Sequence, residues 1–467
     1  MAKLYIFGIG GTGSRVLRAL TMLLAAGSDS SGYDIVPVII DPDCSNGNLT
    51  QNISLLDDYT SIRSKLSFTS GSRNKFFSTK IEKVLDNFTL PVAKTADLHF
   101  REFIDLSGMK DRGNQAMARM LFSDDNLNSD MSVGFKGNPN IGSVVLNQIV
   151  KSPEFLAFAQ SFQTGDKIFI ISSIFGGTGA SGFPLLLKTL RTDKTIPNSE
   201  AIRTSQIGAI TVLPYFKVDK SEDSVIDSAS FISKTKSALA YYDKNIAQSK
   251  EINALYFIGD NECGTYENNE GGVEQANKAH AIELLAATSI LDFAKTDYSE
   301  NDHYYKELGL QDIAGAITLN SLHNGLSAMI RRPMTQLALT ALGMEYDASF
   351  LKSKQLKKNT DLGLDDHFYS SIFFSQICAF LQKYKAWLNE MKANNVSLNF
   401  FDLESSSNPF TSITDVKAKK KFFGSNDWDT YRTALNKAKV NSSQKENAFM
   451  EMYYVGMESL CVDKFNF

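Results

Sequence analysis

The stretch Phe175-Gly176-Gly177-Thr178-Gly179-Ala180-Ser181-Gly182 decides the fold of this chain. It follows an apolar run at 167–174 (KIFIISSI) that is typical of a buried strand, and it precedes a run at 183–190 (FPLLLKTL) that is typical of a helix. Glycines between a strand and a helix let backbone N–H groups approach an anion, and the helix start adds partial positive charge. Such a turn also forms with nothing bound, so this stretch alone leaves both interpretations open.

Two further glycine-bearing turns precede predicted helices. Residues 8–14 (GIGGTGS) follow a short apolar strand at 4–7, and the helical pattern at 15–26 has one apolar face. Residues 134–142 (GFKGNPNIG) lead into a helical run at 143–150. A lone GxGGxG pattern is compatible with NAD, FAD, ATP or GTP, so the argument depends on the three turns together.

Strands and helices alternate through the first 300 residues. Apolar runs at 34–40, 206–213 and 254–258 are typical of buried strands, and residues 273–295 predict a long helix that is apolar nearly all round. Alternation of this kind predicts an α/β fold, a parallel sheet covered on both faces, with the long helix buried between two layers. Because ligands bind at the carboxyl ends of such strands, the three turns can converge on one ligand.

Asp41 and Asp43 follow the second predicted strand. An acidic residue at this point of a nucleotide-binding sheet often contacts a ribose. An Asx-type turn after the strand explains the same residues equally well. Both interpretations are kept.

Composition excludes several classes of protein. The chain has 467 residues, 43% of them hydrophobic, and a net charge of -4, so general affinity for nucleic acid is not expected. The four cysteines are far apart in sequence and form no CxxC, so we expect neither a zinc site nor a redox pair. The first residues read as a strand rather than a signal peptide, and we expect no membrane span and a cytoplasmic protein.

The chain divides at about residue 303 on these patterns. We expect one domain over 1–303, with its long helix at about 273–296, and a largely helical C-terminal domain over 304–467. Residues 313–350 predict short strands and helical turns, and residues 364–394 predict one long amphipathic helix.

Three loops together resemble the tubulin/FtsZ superfamily. GIGGTGS at 8–14 is similar to its first phosphate loop, GFKGNPNIG at 134–142 to its third loop, and FGGTGASG at 175–182 to its GGGTG motif, with Phe175 in place of the first glycine. The order and spacing of the loops agree, and VLPYF at 212–216 lies where FtsZ has a strand end. The run at 280–293 (HAIELLAATSILDF) favours the divergent bacterial tubulin-like group within the superfamily.

The resemblance implies a Rossmann-like GTPase domain, a long central helix and a mainly helical α+β C-terminal domain. It implies GTP or GDP as the ligand, with Mg²⁺ expected beside it, and no other metal site. Asp41 or Asp43 would lie near the ribose or phosphates, and Asn261 and Asn277 would read the guanine, because an amide both donates and accepts. An ordinary surface asparagine is the alternative for Asn277. The phosphate-binding residues would be Gly10, Gly11, Thr12, Gly13, Gly137, Asn138, Gly176, Gly177, Thr178, Gly179 and Ser181.

The chain departs from the family at two points. The family has an asparagine that contacts the base at the end of the first loop, where this chain has Arg15. The family's Asn-x-Asp-x-x-Asp loop, which completes the active site of the next subunit in a filament, is missing. The spacing from Asn277 puts that loop at 297–303, with Glu300 and Asp302 as candidate catalytic acids, and a solvated acidic loop is the alternative.

The sequence favours three functions in this order. The first is a tubulin-like GTPase that assembles head to tail with itself, with an unidentified partner protein possible. The second is a scaffold that binds GTP without hydrolysing it. The third is an adenylating enzyme of the ubiquitin-activating type, which leaves the loops at 134 and 176 unexplained; an NAD dehydrogenase ranks below it, because no catalytic His or Lys is placed for one.

Overall fold

A computed structural model describes the chain except for residues 44–45, 70, 93–94, 96–97, 132–133, 136, 219–227, 261–264, 267–276, 300, 308–309, 311–314, 405–407 and 420–425. The strands are β1 (Lys3–Ile9), β2 (Asp34–Ile40), β3 (Lys167–Ser173), β4 (Gln206–Val212), β5 (Lys217–Val218), β6 (Ala254–Ile258), β7 (Thr265–Tyr266) and β8 (Tyr304–Glu307). Six of them form one parallel sheet in the order β2-β1-β3-β4-β6-β8, and β5 pairs with β7. The predicted α/β fold with a parallel sheet is confirmed.

In the part of the chain that the structure describes, eleven α-helices run up to and include the central helix. They are α1 (Gly10–Ala25), α2 (Gly47–Ser64), α3 (Phe100–Phe103), α4 (Arg112–Leu121), α5 (Asp124–Leu127), α6 (Pro139–Leu146), α7 (Pro153–Ser161), α8 (Gly177–Thr192), α9 (Ser199–Thr204), α10 (Ser228–Tyr242) and α11 (Ala281–Lys295). The C-terminal helices are α12 (Asn324–Tyr346), α13 (Ala348–Leu351), α14 (Lys358–Leu362), α15 (Asp366–Tyr369), α16 (Ile372–Lys392), α17 (Asp427–Lys437) and α18 (Lys445–Leu460). Within the described residues, no helix is both long enough and apolar enough to cross a membrane.

Alternate residues of β1 face the two helical layers. Tyr5 contacts Phe158 of α7 on one face, whereas a Cβ added to Gly8 would meet Leu17 of α1 on the other. The face of α1 also carries α11, because Phe169 packs against Phe293 and lies opposite Ile6 in the register of the sheet. The sheet is therefore covered on both faces, as its apolar strands predict.

Helix α11 is buried between the sheet and the C-terminal helices. Every residue of α11 except Asp292 and Lys295 is buried, and α12 packs against both α1 and α11. Helix α16 packs against α2, and α12, α16, α17 and α18 enclose the C-terminal core. The predicted burial of this helix between two layers is confirmed.

Several predicted helices and helix boundaries were wrong; the helices after the first, third and fourth glycine turns begin inside those turns, at Gly10, Pro139 and Gly177. Helix α11 begins at Ala281 rather than near 273, because the His280 ring accepts the Ile282 N–H and Glu283 accepts the His280 N–H, which caps the helix there. Residues 313–350 contain the 23-residue helix α12, whose internal Pro333 obscures the pattern. The helix predicted over 364–394 begins at Ile372, where the Ser371 hydroxyl caps it.

Candidate functional site

The glycine loops lie together at one edge of the sheet. We call residues 8–14 the first loop, 41–46 the second, 134–142 the third and 175–182 the fourth. The first, second and fourth loops follow the carboxyl ends of β1, β2 and β3, which are neighbours and parallel. We call this edge the glycine-loop edge, and it is where a doubly covered parallel sheet binds ligands.

The first and fourth loops are in contact. Gly10 has φ +69, a left-handed conformation that favours glycine, and a Cβ there would lie 3.4 Å from the Cβ of Thr178. Helices α1 and α8 begin at Gly10 and Gly177, so the unpaired N–H groups of two helix starts face the same edge. This arrangement suits an anionic ligand.

The third loop packs against the fourth with no space for a side chain between them. A Cβ on Gly177 would lie 3.0 Å from the backbone nitrogen of Asn138 and 3.2 Å from that of Gly137. A Cβ on Gly142 would overlap the hydroxyl of Ser181. The loops predicted to hold phosphates are therefore brought together, mainly through their backbones.

Two side chains predicted to bind phosphate are engaged within the protein. The Ser181 hydroxyl donates to the Gly177 carbonyl at 2.6 Å, and the Asn138 amide donates to Asn126 at 2.8 Å. Asn138 also caps α6 by accepting the Asn140 N–H at 3.1 Å. Both side chains thus donate hydrogen bonds within the protein. What the two residues contribute to the loop cluster is mainly the position of their backbone.

The second loop contains two buried aspartates. Asp41 and Asp43 are both buried, and Asp41 Oδ1 accepts the Asp43 N–H at 3.1 Å, which is the Asx turn expected from the sequence. Burial, and to a smaller extent the charge of Asp43, raise the pKa of Asp41 to about 7. Its Oδ2 is buried without a hydrogen-bond partner among the described residues. A carboxylate oxygen left in this way suits a hard cation held against phosphates, so this loop fits Mg²⁺.

Arg15 forms a buried charge cluster beside the first loop. Its Nε donates to Glu283 Oε1 at 2.5 Å and its Nη2 to the hydroxyl of Tyr215 at 2.7 Å. Burial alone would lower the pKa of Arg15, but Tyr215 and Glu283 raise it above its ordinary value, so the guanidinium is charged. Burial lowers the pKa of the neighbouring His280 to about 4, which leaves its ring neutral at pH 7.

Asn277 lies before the central helix rather than inside it. Its backbone N–H donates to Asn48 Oδ1 at 3.0 Å, and its Oδ1 accepts from Asn48 Nδ2 at 3.3 Å. Together with Arg15, Tyr215 and His280 it lines a narrow crevice. Asn277 therefore lies within reach of the first loop, whereas Asn261 lies outside the described residues.

The acidic loop lies at the opposite end of the sheet. Helix α11 runs for 15 residues, about 22 Å, from the crevice to residues 297–303, which precede the amino end of β8. Asp302 accepts the Ser299 N–H at 2.7 Å, and this hydrogen bond lowers the pKa of its carboxyl. Asp297 is 94% exposed and lies 3.2 Å from Lys167 Nζ. Glu300 lies outside the described residues.

Sequence reasoning missed several polar residues of the glycine-loop edge. Glu283 is an acid in an otherwise apolar helix start, which is a signal that could have been used. Tyr215 follows the end of a predicted strand, and its position in the sequence indicates no role beyond that. Asn46 and Asn48 gave no signal, because asparagine after a strand is an ordinary turn residue.

No family model matches the sequence, and none of the curated proteins does. Among solved structures the chain is similar to CetZ from Methanosaeta thermophila strain DSM 6194, with 16% identity, TM-score 0.28, and coverage of 63% of this chain and 51% of that one. It is also similar to CetZ2 from Haloferax volcanii, described as a GTPγS-bound protofilament (14%, TM-score 0.31, coverage 62% and 58%). A third is CetZ1 from Haloferax volcanii, a GDP-bound monomer (12% identity, TM-score 0.31, coverage of 64% of this chain and 62% of that one).

The chain spans between half and two thirds of the length of these structures. CetZ proteins belong to the tubulin/FtsZ family; the fold assigned here rests on the order and direction of the six strands.

Proposed function

We propose that this chain is a tubulin/FtsZ-like protein that binds GTP or GDP at the glycine-loop edge. The observation that carries the proposal is the convergence of the first, third and fourth loops at the starts of α1 and α8. Backbone N–H groups and helix dipoles there stabilise a polyphosphate without needing many side-chain donors. Asn277, beside Arg15 and Tyr215, would contact the guanine, and Asn261 is the second base-reading candidate.

A divalent cation completes this proposal. Asp41 and Asp43 would hold Mg²⁺ against the phosphates, where the metal would neutralise charge. Ionisation of Asp41 near pH 7 is compatible with this role, because a bound cation would favour the carboxylate form.

Hydrolysis in this proposal needs a second subunit. Asp302 belongs to a loop about one length of α11 from the glycine loops, so it cannot reach the nucleotide of its own chain. Glu300 is the second candidate acid and precedes Asp302 by two positions in the sequence. Head-to-tail self-assembly would bring the acidic loop of one subunit to the nucleotide of the next. We place such an assembly in the cytoplasm, with residues 1–303 as the GTP-binding domain and 304–467 as a C-terminal domain.

A GTP-binding scaffold without hydrolysis is the second candidate. It is favoured by the hydrogen bond from the Ser299 N–H to Asp302, which engages one of the two candidate acids within its own chain. An adenylating enzyme is the lowest alternative, and a preference for ATP would favour it.

One experiment separates these candidates. Right-angle light scattering of the purified protein is measured with GTP, GDP and ATP, and phosphate release is followed in the same cuvette. Assembly and phosphate release with GTP alone support the tubulin-like GTPase. Tight GTP binding with neither signal supports the scaffold, and failure to bind GTP overturns both.

A further inference from the structure

Three side-chain nitrogens converge on Gly11 of the first loop. A Cβ on Gly11 would lie 3.6 Å from Arg15 Nη1, 3.7 Å from Asn48 Nδ2 and 4.0 Å from Asn46 Nδ2. The three side chains come from α1, from α2 and from the residue that caps α2. They are only 8%, 4% and 2% exposed, so they form a built cluster rather than a solvated surface.

Neighbouring backbone groups fix the orientation of both amides. Asn46 Oδ1 accepts the N–H groups of Asn48 and Leu49, at 2.9 and 3.4 Å. Asn48 Oδ1 accepts the Asn277 N–H at 3.0 Å. Because each oxygen is held by a backbone donor, each Nδ2 turns toward Gly11, and the assignment of the amide atoms does not depend on the ligand. Asn48 Nδ2 also donates one of its two N–H groups to Asn277 Oδ1 at 3.3 Å.

Two nitrogens of the Arg15 guanidinium are held by neighbouring side chains. Nε donates to Glu283 and Nη2 donates to the Tyr215 hydroxyl, which itself donates to Glu283 at 3.3 Å. Within the described part of the chain, Nη1 donates to no other group. This nitrogen belongs to a side chain that is only 8% exposed and it faces the first loop, so it is available to an acceptor on a ligand.

The chemistry of the cluster selects its ligand. The Arg15 guanidinium is permanently charged and Asn48 Nδ2 has a second N–H beside it, so the ligand must present an acceptor oxygen and is favoured if that oxygen is anionic. The starts of α1 and α2, helices of 16 and 18 residues, direct their positive ends to the same place. A phosphate oxygen satisfies all these conditions.

We propose that Arg15 and Asn48 bind a phosphate oxygen of the nucleotide, and that Arg15 does so through Nη1 while its other nitrogens remain on Glu283 and Tyr215. The inference rests on the proposed function and adds to the backbone loops a side-chain cradle from α1 and α2. Lysine cannot replace Arg15, because its single ammonium can pair with Glu283 or contact the phosphate but cannot form the two-sided fork.

The test measures binding of GTP and of inorganic pyrophosphate by titration calorimetry to the wild-type chain and to Arg15→Lys and Asn48→Asp. Asn48→Asp keeps the acceptor for the Asn277 N–H but replaces Nδ2, the donor to Asn277 Oδ1 and toward Gly11, by a carboxylate oxygen. Pyrophosphate has no base, so its binding reports the phosphate site alone. We expect each variant to bind GTP and pyrophosphate at least ten-fold more weakly than the wild type. Matched controls are Arg119→Lys and Asn114→Asp, exposed changes of the same kind on α4, which should bind as the wild type does. Urea unfolding of each variant checks that it is folded.

The outcomes separate this inference from the proposed function. Wild-type binding of GTP with unchanged affinity in both variants overturns the cradle and leaves the proposed function standing. A loss for GTP without a loss for pyrophosphate overturns the phosphate assignment. Pyrophosphate binding that depends on Arg15 and Asn48 in a chain that does not bind GTP supports the cradle and overturns the proposed function. If the wild type binds neither ligand, both are overturned.

Discussion

Asn48 and Asn277 are 229 residues apart in sequence and hydrogen-bond to each other twice at the glycine-loop edge. Asn48 lies in the first turn of α2, and Asn277 precedes the central helix α11. Through this pair the segment 277–280 is fixed beside the first loop. The position of a candidate base-reading residue therefore depends on α2 as well as on α11.

Replacing Asn277 with alanine should weaken GTP binding and reduce discrimination against ATP. The backbone bond to Asn48 Oδ1 is kept, so the segment stays in place, but the side-chain amide that would match the guanine edge is lost. A lost hydrogen bond of this kind costs about 1 kcal/mol, or about five-fold to ten-fold in affinity. Competition titrations of GTP and ATP measure it, and an unchanged ratio of the two affinities would remove Asn277 from the base site.

Glu390 holds the same segment from the C-terminal side. Its Oε2 accepts the Ala279 N–H at 2.9 Å, and both its oxygens pair with Arg18, at 2.9 and 3.0 Å. Asn394 also donates to the Ala279 carbonyl. The helix α16 therefore acts on the base-side segment without touching the glycine loops.

Glu390→Ala should lower GTP affinity several-fold, because the segment that carries Asn277 loses the hydrogen bond from the Ala279 N–H to Glu390. The affinity for pyrophosphate, which does not use the base side, should stay the same. Glu345→Ala is the control, since Glu345 pairs with Lys385 in an exposed position and is worth at most about 1 kcal/mol. Equal losses for GTP and pyrophosphate would mean that Glu390 supports the fold as a whole.

Gly177→Ala should abolish nucleotide binding. The added Cβ would lie 3.0 Å from the Asn138 nitrogen, so the third and fourth loops must separate. Gly325→Ala is the matched control: a Cβ there meets nothing within 4 Å, and alanine in α12 should raise the free energy of unfolding by about 0.5–1 kcal/mol. Calorimetric GTP titration and urea unfolding of both variants test this; GTP binding by Gly177→Ala at wild-type strength would contradict it.

Asp41 should make the stability of the ligand-free protein depend on pH. Its pKa rises from 3.8 to about 7 on folding, so the folded state holds the proton more tightly. That contribution is complete below about pH 4 and is lost as the pH rises through 7. Asp41→Asn removes it, so the variant should gain stability over the wild type with rising pH, by about 3 kcal/mol between pH 5 and pH 8.

Urea unfolding at pH 5 and pH 8 measures this difference. Asp57→Asn is the control, because Asp57 is half-exposed and pairs with Lys83 at the surface. The same Asp41→Asn variant should bind GTP with Mg²⁺ more weakly than the wild type, since it lacks the charge for the cation. A pH-independent difference between variant and wild type would mean that Asp41 stays ionised in the folded protein.

The strand-loop-helix units could be predicted because their signals are local. The apolar run before Gly176 and the helical run after it are adjacent in sequence, and the same holds around Gly10. The cluster around Arg15 could not be predicted, since its partner Glu283 is 268 residues away and only the folded sheet brings the two together. The start of α11 was missed because the cap that ends the extended segment is a histidine, an uncommon capping residue.

The acidic loop should act on the nucleotide of a neighbouring subunit. The variant Glu300→Ala/Asp302→Ala should bind GTP but release no phosphate, since its glycine loops are intact and the acids that would orient water are gone. Gly177→Ala should release none either, because it holds no nucleotide, although its acidic loop is intact.

A mixture of the two variants should regain phosphate release, because the intact acidic loop of a Gly177→Ala subunit can act on the nucleotide bound by its Glu300→Ala/Asp302→Ala neighbour. Phosphate release measured against mixing ratio should peak near equal amounts; mixing the acid-less variant with a chain that carries all three changes is the control and should stay inactive. Full phosphate release by Glu300→Ala/Asp302→Ala alone would place the catalytic groups elsewhere.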